Sequence, residues 1–510
     1  MTQTVEYDYV VVGAGTAGSV LAARLSENSR VSVLLIEAGG DDDPGGALSL
    51  PPAWPTLLGT GRNWGERTTE QAFTGTSIPL ARGRGLGGSS AINAMVFTRG
   101  HRSAYDAWAD AGAKGWGFDE LLPYLKRSES AHGRDAGARG QDGPLRTAPA
   151  HRPSPVLTDC LEAAAEAGFP RARDISSGLD EGFGLPDLSI VGGRRQSAAD
   201  AYLRPAAGRG NLTVVTDAPV HRVRITADRC TGVLYRDAQG DEVAVGAARE
   251  VILAAGAIGT PHLLMLSGIG PEAHLRATGI DVVHPLPGVG ANLQDHVMAS
   301  VVYSAARPVP AGRNNHGEAL GLLRSSDRVD APDLQIIFVD VPQYAGAFTG
   351  PGEGYTLNVS LMRPHSHGTV RLASADPTDS PLIDPRYYAD ARDLAAMVAG
   401  VRAARTIGSA SALDTWRGAE VVPGPEVNDD AEIGAYLRAA AASYFHPVGT
   451  CRIGTDEGAV VDEQLKLRGL RGLRIADASV MPSIVSGNTN ATVYGIAERA
   501  AALVAASTDF

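Results

Sequence analysis

The chain has 510 residues, 44% of them hydrophobic, enough for roughly two to four domains with sizeable cores. Its net charge of −12 and sequence pI near 5.5 argue against a nucleic-acid partner, which needs a basic face. Only three cysteines occur, Cys160, Cys230 and Cys451, none in CxxC spacing, so a disulfide framework is not expected and a reducing compartment fits.

In chain order, Met1 to Tyr9 is polar and acidic, without the basic and apolar regions of a secretory signal. No run of about 18 apolar residues is present to cross a bilayer. A cytoplasmic location and no membrane partner are therefore expected. Tyr9–Val12 reads as a strand, Ser19 to Glu27 as a helix and Val31–Ile36 as a second strand, one βαβ unit. The Gly-, Pro- and Asp-rich stretch from Gly39 to Gly88 reads as long loops, followed by a helix around Ser89–Val96. Strands are expected at Asn211–Thr216, Val220–Thr226 and Val251–Ala254, and a helix at Thr260–Leu266. From about Val297 the pattern alternates, and Asp333–Val339 and Tyr355–Met362 predict an antiparallel sheet. Asp390–Ile407 and Ala491–Ala506 predict helices, with a strand at Leu473–Ala476 between them.

The fold class expected is α/β: a Rossmann-like cofactor domain with an interleaved domain built on an antiparallel sheet flanked by helices. The first comprises residues 1–151, 200–297 and 455–510; the second comprises 152–199 and 298–454.

The turn after the first strand is Gly13-Ala14-Gly15-Thr16-Ala17-Gly18, a G-x-G-x-x-G between strand and helix. The first glycine permits the tight turn, the second lets backbone approach a pyrophosphate, and the third lets helix pack on strand. The helix N-terminus offers free N–H groups to phosphate. Glu37, 19 residues after Gly18, can accept hydrogen bonds from ribose hydroxyls and would repel a 2′-phosphate, which disfavours NADP. This fingerprint alone does not separate NAD from FAD.

Longer segments do. Gly83-Arg84-Gly85-Leu86-Gly87-Gly88-Ser89-Ser90-Ala91-Ile92-Asn93 continues to Phe97, Gly100 and Asp106. Gly256-Ala257-Ile258-Gly259-Thr260-Pro261 continues to Ser267-Gly268-Ile269-Gly270. A third block is Val289-Gly290-Ala291-Asn292-Leu293-Gln294-Asp295-His296. In order and without gaps, these segments resemble the signatures of the glucose–methanol–choline (GMC) family of flavoprotein oxidoreductases. The resemblance runs from Tyr7 to Ala506. It implies FAD as cofactor, with Asn93, Ala94, Met95 and Val96 beside the isoalloxazine ring. It implies further contacts at Thr16, Ala17, Ala38, Trp64, Arg82, Gly83, Gly88 and Ser89. Val220 resembles the position whose backbone meets the adenine. Ala255 and Gly256 sit at the second signature. Asp477 and Ala478, after the last strand, are assigned to the pyrophosphate–ribityl region, and Thr489 and Asn490 open the last helix beside the ring. Some members link the flavin to a histidine just before the equivalent of Asn93; Ile92 stands there, so non-covalent FAD is expected.

Tyr444-Phe445-His446-Pro447-Val448-Gly449-Thr450-Cys451 resembles the family's active-site histidine segment. Ser486-Gly487-Asn488-Thr489-Asn490-Ala491 resembles its second one. A carbinol hydrogen leaves as hydride only as the hydroxyl proton is withdrawn, and neutral imidazole suits that task near pH 7. His446 is therefore assigned as general base and Asn488 as the partner that positions the oxygen. Phe445 and Tyr444 are candidate pocket walls. Glu318 resembles a position where choline-oxidising members place a carboxylate near the substrate ammonium; a structural ion pair is the preferred reading of it. His365 and His367 are too few ligands for a metal, and none is expected.

The expected reaction is oxidation of a primary alcohol, the partners being a small-molecule alcohol and O2, which yields H2O2. A dehydrogenase using a quinone or other acceptor shares every residue above, and the fold also hosts non-redox lyases that retain FAD.

Overall fold

The computed structural model describes residues 5–507. Residues 1–4, on which part of the expectation about a secretory leader falls, and residues 508–510 lie outside the described residues. Among the described residues no helix is long and apolar enough to cross a membrane, and no group of three or more His, Cys, Asp or Glu is placed to hold a metal ion.

The glycine turn lies between strand β1 (Val5–Val12) and helix α1 (Thr16–Leu25), followed by β2 (Val33–Ile36). Both strands end in uninterrupted buried apolar runs, as strands covered on two faces do. Helix α2 (Ser89–Ile92) is a single turn. The first sheet is completed by β3 (Leu212–Val215), β4 (Val220–Thr226), β5 (Arg229–Arg236), the long β6 (Glu242–Leu253) and the strand Leu473–Ile475. Its order is β3-β2-β1-β6-β5-β4, with Leu473–Ile475 also on β6. The β3, β2, β1 and β6 pairings and the last strand are parallel; β4 and β5 extend β6 antiparallel.

Four strands therefore stop at one edge. Gly13 donates its N–H to Ile36 O (2.8 Å), Ala254 to Val12 O (2.8 Å) and Ala476 to Leu253 O (2.9 Å). The residues that follow Val12, Ile36, Leu253 and Ile475 are thus gathered at the carboxyl ends of a parallel sheet, where α/β proteins bind ligands. Helix α3 (Gly256–Leu266) starts from this edge.

The second sheet is antiparallel: β7 (Val297–Ala305), β8 (Ala319–Leu323), β9 (Leu334–Val339), β10 (Gly354–Leu361) and β11 (Arg417–Val422). The order is β11-β7-β10-β9-β8, with Gly182–Gly184 beyond β8. One face carries Val301, Ile336, Phe338, Leu357 and Val359, which pack against Met397, Val401 and Ala404 of α4 (Ala391–Gly408). The register Ser300↔Asn358 and Ile337↔Asn358 puts Met298, Asn358, Ile337 and Val339 together on the other face. The final helix, α5 (Thr489–Ala506), packs on α1 and begins at Asn488.

Candidate active site

Between the sheet edge and the second sheet's mixed face lies a cavity of about 620 Å³. Every residue assigned above to the cofactor, to catalysis or to the pocket borders it except Gly18 and Glu318. Gly18 serves packing: a Cβ there would lie 1.7 Å from Gly13 O. Gly88 has φ +50°, and a Cβ on it would come 2.6 Å from Gly15 Cα. Two glycine loops from separate signatures thus abut, baring backbone amides and the α1 N-terminus to one space. A pyrophosphate fits such a surface because it needs close N–H donors and no intervening side chain. The α5 N-terminus, with Thr489, Asn490 and Val493, borders the same space. Thr16 Oγ1 donates to Asn490 Oδ1 (2.9 Å) and ties the two helix starts together.

Several predicted polar ligands are already engaged by the protein. Glu37 accepts from the backbone N–H groups of Ala14 (2.7 Å), Gly39 (3.0 Å) and Gly85 (2.9 Å). Burial raises its pKa. Its carboxylate braces the loops while still facing the cavity. Asp477 accepts from Gly256 N (2.8 Å), Thr260 Oγ1 (2.6 Å) and Ser479 N (2.8 Å), fixing the start of α3. Arg82 pairs with Glu66 (2.5 Å), and Arg82 and Arg84 both lie over the Trp64 ring.

The expected helix Ser89–Val96 stops at Asn93. Arg195 Nη1 donates to Asn93 O (2.6 Å) and Asn93 Oδ1 (2.9 Å), and that same Oδ1 accepts from Met95 N (2.9 Å). Met95 takes φ +58°, and Val96–Phe97 continues as strand. Ile92 lines the cavity with a hydrocarbon side chain that offers no atom for a covalent flavin link.

Glu318 is corrected: neither a cavity wall nor a member of an ion pair. Its oxygens accept from Asn314 Nδ2 (2.9 Å) and Ser154 N (2.7 Å). It is 0% exposed. Alternation at the entry to β8 turns it away from the side on which Gly317 borders the cavity.

At the centre is a chain of polar contacts. His296 Nε2 lies 3.2 Å from Met362 O, His296 Nδ1 lies 2.9 Å from His446 Nδ1, and His446 Nε2 lies 3.3 Å from Asn488 Nδ2. A carbonyl only accepts, so His296 carries its proton on Nε2. Its Nδ1 then accepts, and His446 must donate from Nδ1. His446 Nε2 is left as a lone pair facing the cavity. Asn488 Oδ1 accepts from Thr98 Oγ1 (3.1 Å), which turns the amide so that Nδ2 meets that lone pair. Burial lowers the His446 pKa to about 3 and that of His296 well below the usual range, the His446 charge adding to the effect. Both rings are neutral.

Asp295 holds the backbone of this base. It accepts from His446 N (2.8 Å), Ser443 Oγ (2.6 Å) and the Tyr387 hydroxyl. Burial raises its carboxyl to about 6. Phe445, beside the base, has φ +64°, a left-handed conformation that costs a bulky residue roughly 1–3 kcal/mol. The Ser443 hydroxyl steadies it by accepting from Phe445 N (2.8 Å). Asp295 and His296 belong to the third sequence block, yet linear order does not pair His296 with a residue 150 positions away.

Comparison with known proteins agrees with this architecture. The N-terminal and C-terminal models described as GMC oxidoreductase match residues 7–298 and 364–497. The oxygen-dependent choline dehydrogenase of Serratia proteamaculans (strain 568) is 40% identical, covering 97% of this chain and 95% of its own. The crystal structure of pyridoxine 4-oxidase from Mesorbium loti superposes with a TM-score of 0.94 at 38% identity, over 97% of this chain and 98% of that one. Formate oxidase of Aspergillus oryzae RIB40 gives 0.91 at 28% identity over 99% of each chain. On these matches and this cradle, the chain belongs to the GMC oxidoreductase family: an FAD-dependent oxidoreductase acting on CH–OH groups.

Proposed function

We propose that this chain oxidises a primary alcohol to the aldehyde and passes two electrons and two protons to O2, releasing H2O2. The observation that carries this reading is the unprotonated Nε2 of buried His446 beside the Asn488 amide, in the cavity that the glycine loops share. FAD supplies the acceptor for the hydrogen that leaves the carbinol carbon with its electron pair. Gly13, Gly15, Gly88, Ser89, Val220 and the loop from Asn93 to Val96 would hold it, with no covalent bond.

A substrate hydroxyl placed at His446 Nε2 donates its proton there, while Asn488 Nδ2 donates to the oxygen as negative charge grows on it. The imidazolium so formed keeps its Nδ1–H on His296 Nδ1. The same burial that keeps His446 neutral makes a lasting imidazolium unfavourable. Proton withdrawal is therefore coupled to loss of the carbon-bound hydrogen. Oxygen as acceptor is supported by the names of the relatives, an oxygen-dependent dehydrogenase and two oxidases.

The test is anaerobic mixing of the yellow protein with primary alcohols, then admission of air. Bleaching of the flavin band followed by one H2O2 per aldehyde is expected. Bleaching that persists in air, reversed only by an artificial acceptor, would assign a dehydrogenase; no bleaching would assign non-redox chemistry.

The pH dependence follows from two groups. Neutral imidazole is the active form, so protonation of His446 lowers activity, and its lowered pKa carries that loss to about pH 3. Protonation of Asp295, near 6, comes first and turns one of its two oxygens into a donor, which breaks up the set of bonds it accepts from the His446 N–H, Ser443 and Tyr387. An acid limb in kcat/KM near pH 6 is expected in the wild type and not in Asp295→Asn. A limb near 6.5 surviving that substitution would return it to His446.

A further inference from the structure

We infer that the substrate is an uncharged alcohol with an apolar or aromatic body and a hydrogen-bond acceptor remote from the carbinol, met by the Gln343 amide; this rests on the alcohol-oxidation reading above. The cavity beyond His446 is walled by Trp54, Met298, Ile337, Val339, Tyr444 and Phe445. The Tyr444 ring packs on His446, centroids 4.6 Å apart, and its hydroxyl donates to Gln335 Oε1 on β9 (2.8 Å). Tyr444 thereby joins the base to the second sheet.

The polar part of this wall runs in one sense. Ser300 Oγ donates to Asn358 Oδ1 (2.7 Å), and Asn358 Nδ2 donates to Gln343 Oε1 (2.5 Å). Gln343 N is anchored on Thr356 Oγ1 (2.9 Å). Each amide oxygen accepts from the preceding donor, which leaves Gln343 Nε2, on a residue that lines the cavity, as the last N–H donor of the chain. A donor attracts an ether, carbonyl, hydroxyl or ring nitrogen and repels a cation.

The carboxylates that could balance a cation are turned elsewhere. Glu318 is bound to Asn314 and the Ser154 backbone, and Asp340 is paired with His316 (2.8 Å). Among the cavity-lining acids, Glu37, Glu66 and Asp477 are held by the glycine loops, Arg82 and α3 respectively, and Asp379 is exposed and accepts from Ser374. Rings alone attract a quaternary ammonium weakly, by about 0.5–2 kcal/mol, and here that attraction opposes both desolvation and the Gln343 dipole. A neutral isostere meets neither penalty.

The experiment compares choline with its uncharged isostere 3,3-dimethylbutan-1-ol, and 4-methoxybenzyl with 4-methylbenzyl alcohol, by flavin reduction in the wild-type holoenzyme and in Gln343→Leu. The wild type is expected to prefer the isostere over choline by about tenfold or more and the methoxy compound over the methyl one by about fivefold, the worth of one neutral hydrogen bond. Gln343→Leu should erase the second preference. Choline reduced as fast as its isostere overturns the inference, with no variant needed. A methoxy preference surviving in Gln343→Leu removes Gln343 from it. Bleaching by none of the four overturns the alcohol-oxidation reading and this inference with it, whereas a choline preference overturns only the inference.

Discussion

His446→Ala should slow reduction of the bound flavin by a good alcohol substrate by about 10³-fold or more, with FAD content unchanged. A positioned general base contributes roughly 10²–10⁴, and the substrate hydroxyl also loses the acceptor that orients it. The substitution leaves the backbone intact, because the N–H to Asp295 bond does not involve the ring. Anaerobic stopped-flow at saturating alcohol measures it; a rate within tenfold of wild type would remove His446 from the chemistry. His296→Leu tests how the base is prepared. It takes the acceptor from His446 Nδ1–H, and an unpaired buried donor costs about 1–3 kcal/mol. The proton can then move to Nε2, where it blocks the base. A loss of about 10- to 100-fold in the reduction rate is expected, partly restored in His296→Asn, whose side-chain oxygen can accept. Equal loss in both variants would reduce His296 to a packing role.

What the linear order discloses and what it hides have physical causes. The βαβ unit around Gly13 to Glu37 is legible because its signals are local: a strand run, glycines at fixed offsets and a helix pattern. The pair His446 and Asn488 is legible only because each sits in a long signature; the residue types alone would not single them out. The end of α2 is hidden, since Arg195, about a hundred positions away, captures the Asn93 carbonyl and amide and overrides the helical pattern. Carboxylates mislead in a consistent way. Glu37 and Asp477 look like ligand acceptors in sequence and Glu318 like half of an ion pair, yet in the fold each first satisfies backbone N–H groups, as buried acceptors next to orphan donors must. For Glu318 that demand removes it from the cavity. The tautomer of His446 is the most distant property of all, because it is set by the Met362 carbonyl through a second ring.

Gly88→Ala should yield protein largely stripped of FAD. Gly88 has φ +50° and ψ −134°, a region open to glycine and costly for any L side chain. The new Cβ would lie 2.6 Å from Gly15 Cα, a backbone atom that cannot rotate aside. Carbon atoms rest about 3.5–4.0 Å apart, so the two glycine loops must part by about 1 Å. Those loops converge on one space, and spreading them lengthens hydrogen bonds to a pyrophosphate that weaken steeply with distance and angle. A combined penalty of about 3 kcal/mol corresponds to a Kd for FAD raised roughly 100-fold. The ratio of flavin to protein absorbance after purification reads this directly, and titration of stripped protein with FAD gives the Kd. Gly59→Ala is the control: its nearest neighbour to an added Cβ is Thr56 O at 3.8 Å, an ordinary contact, and its FAD content should match the wild type. Full FAD content in Gly88→Ala would mean that the approach of the two loops does not form the pyrophosphate seat, and the cofactor would have to be held chiefly by the α5 end of the cavity.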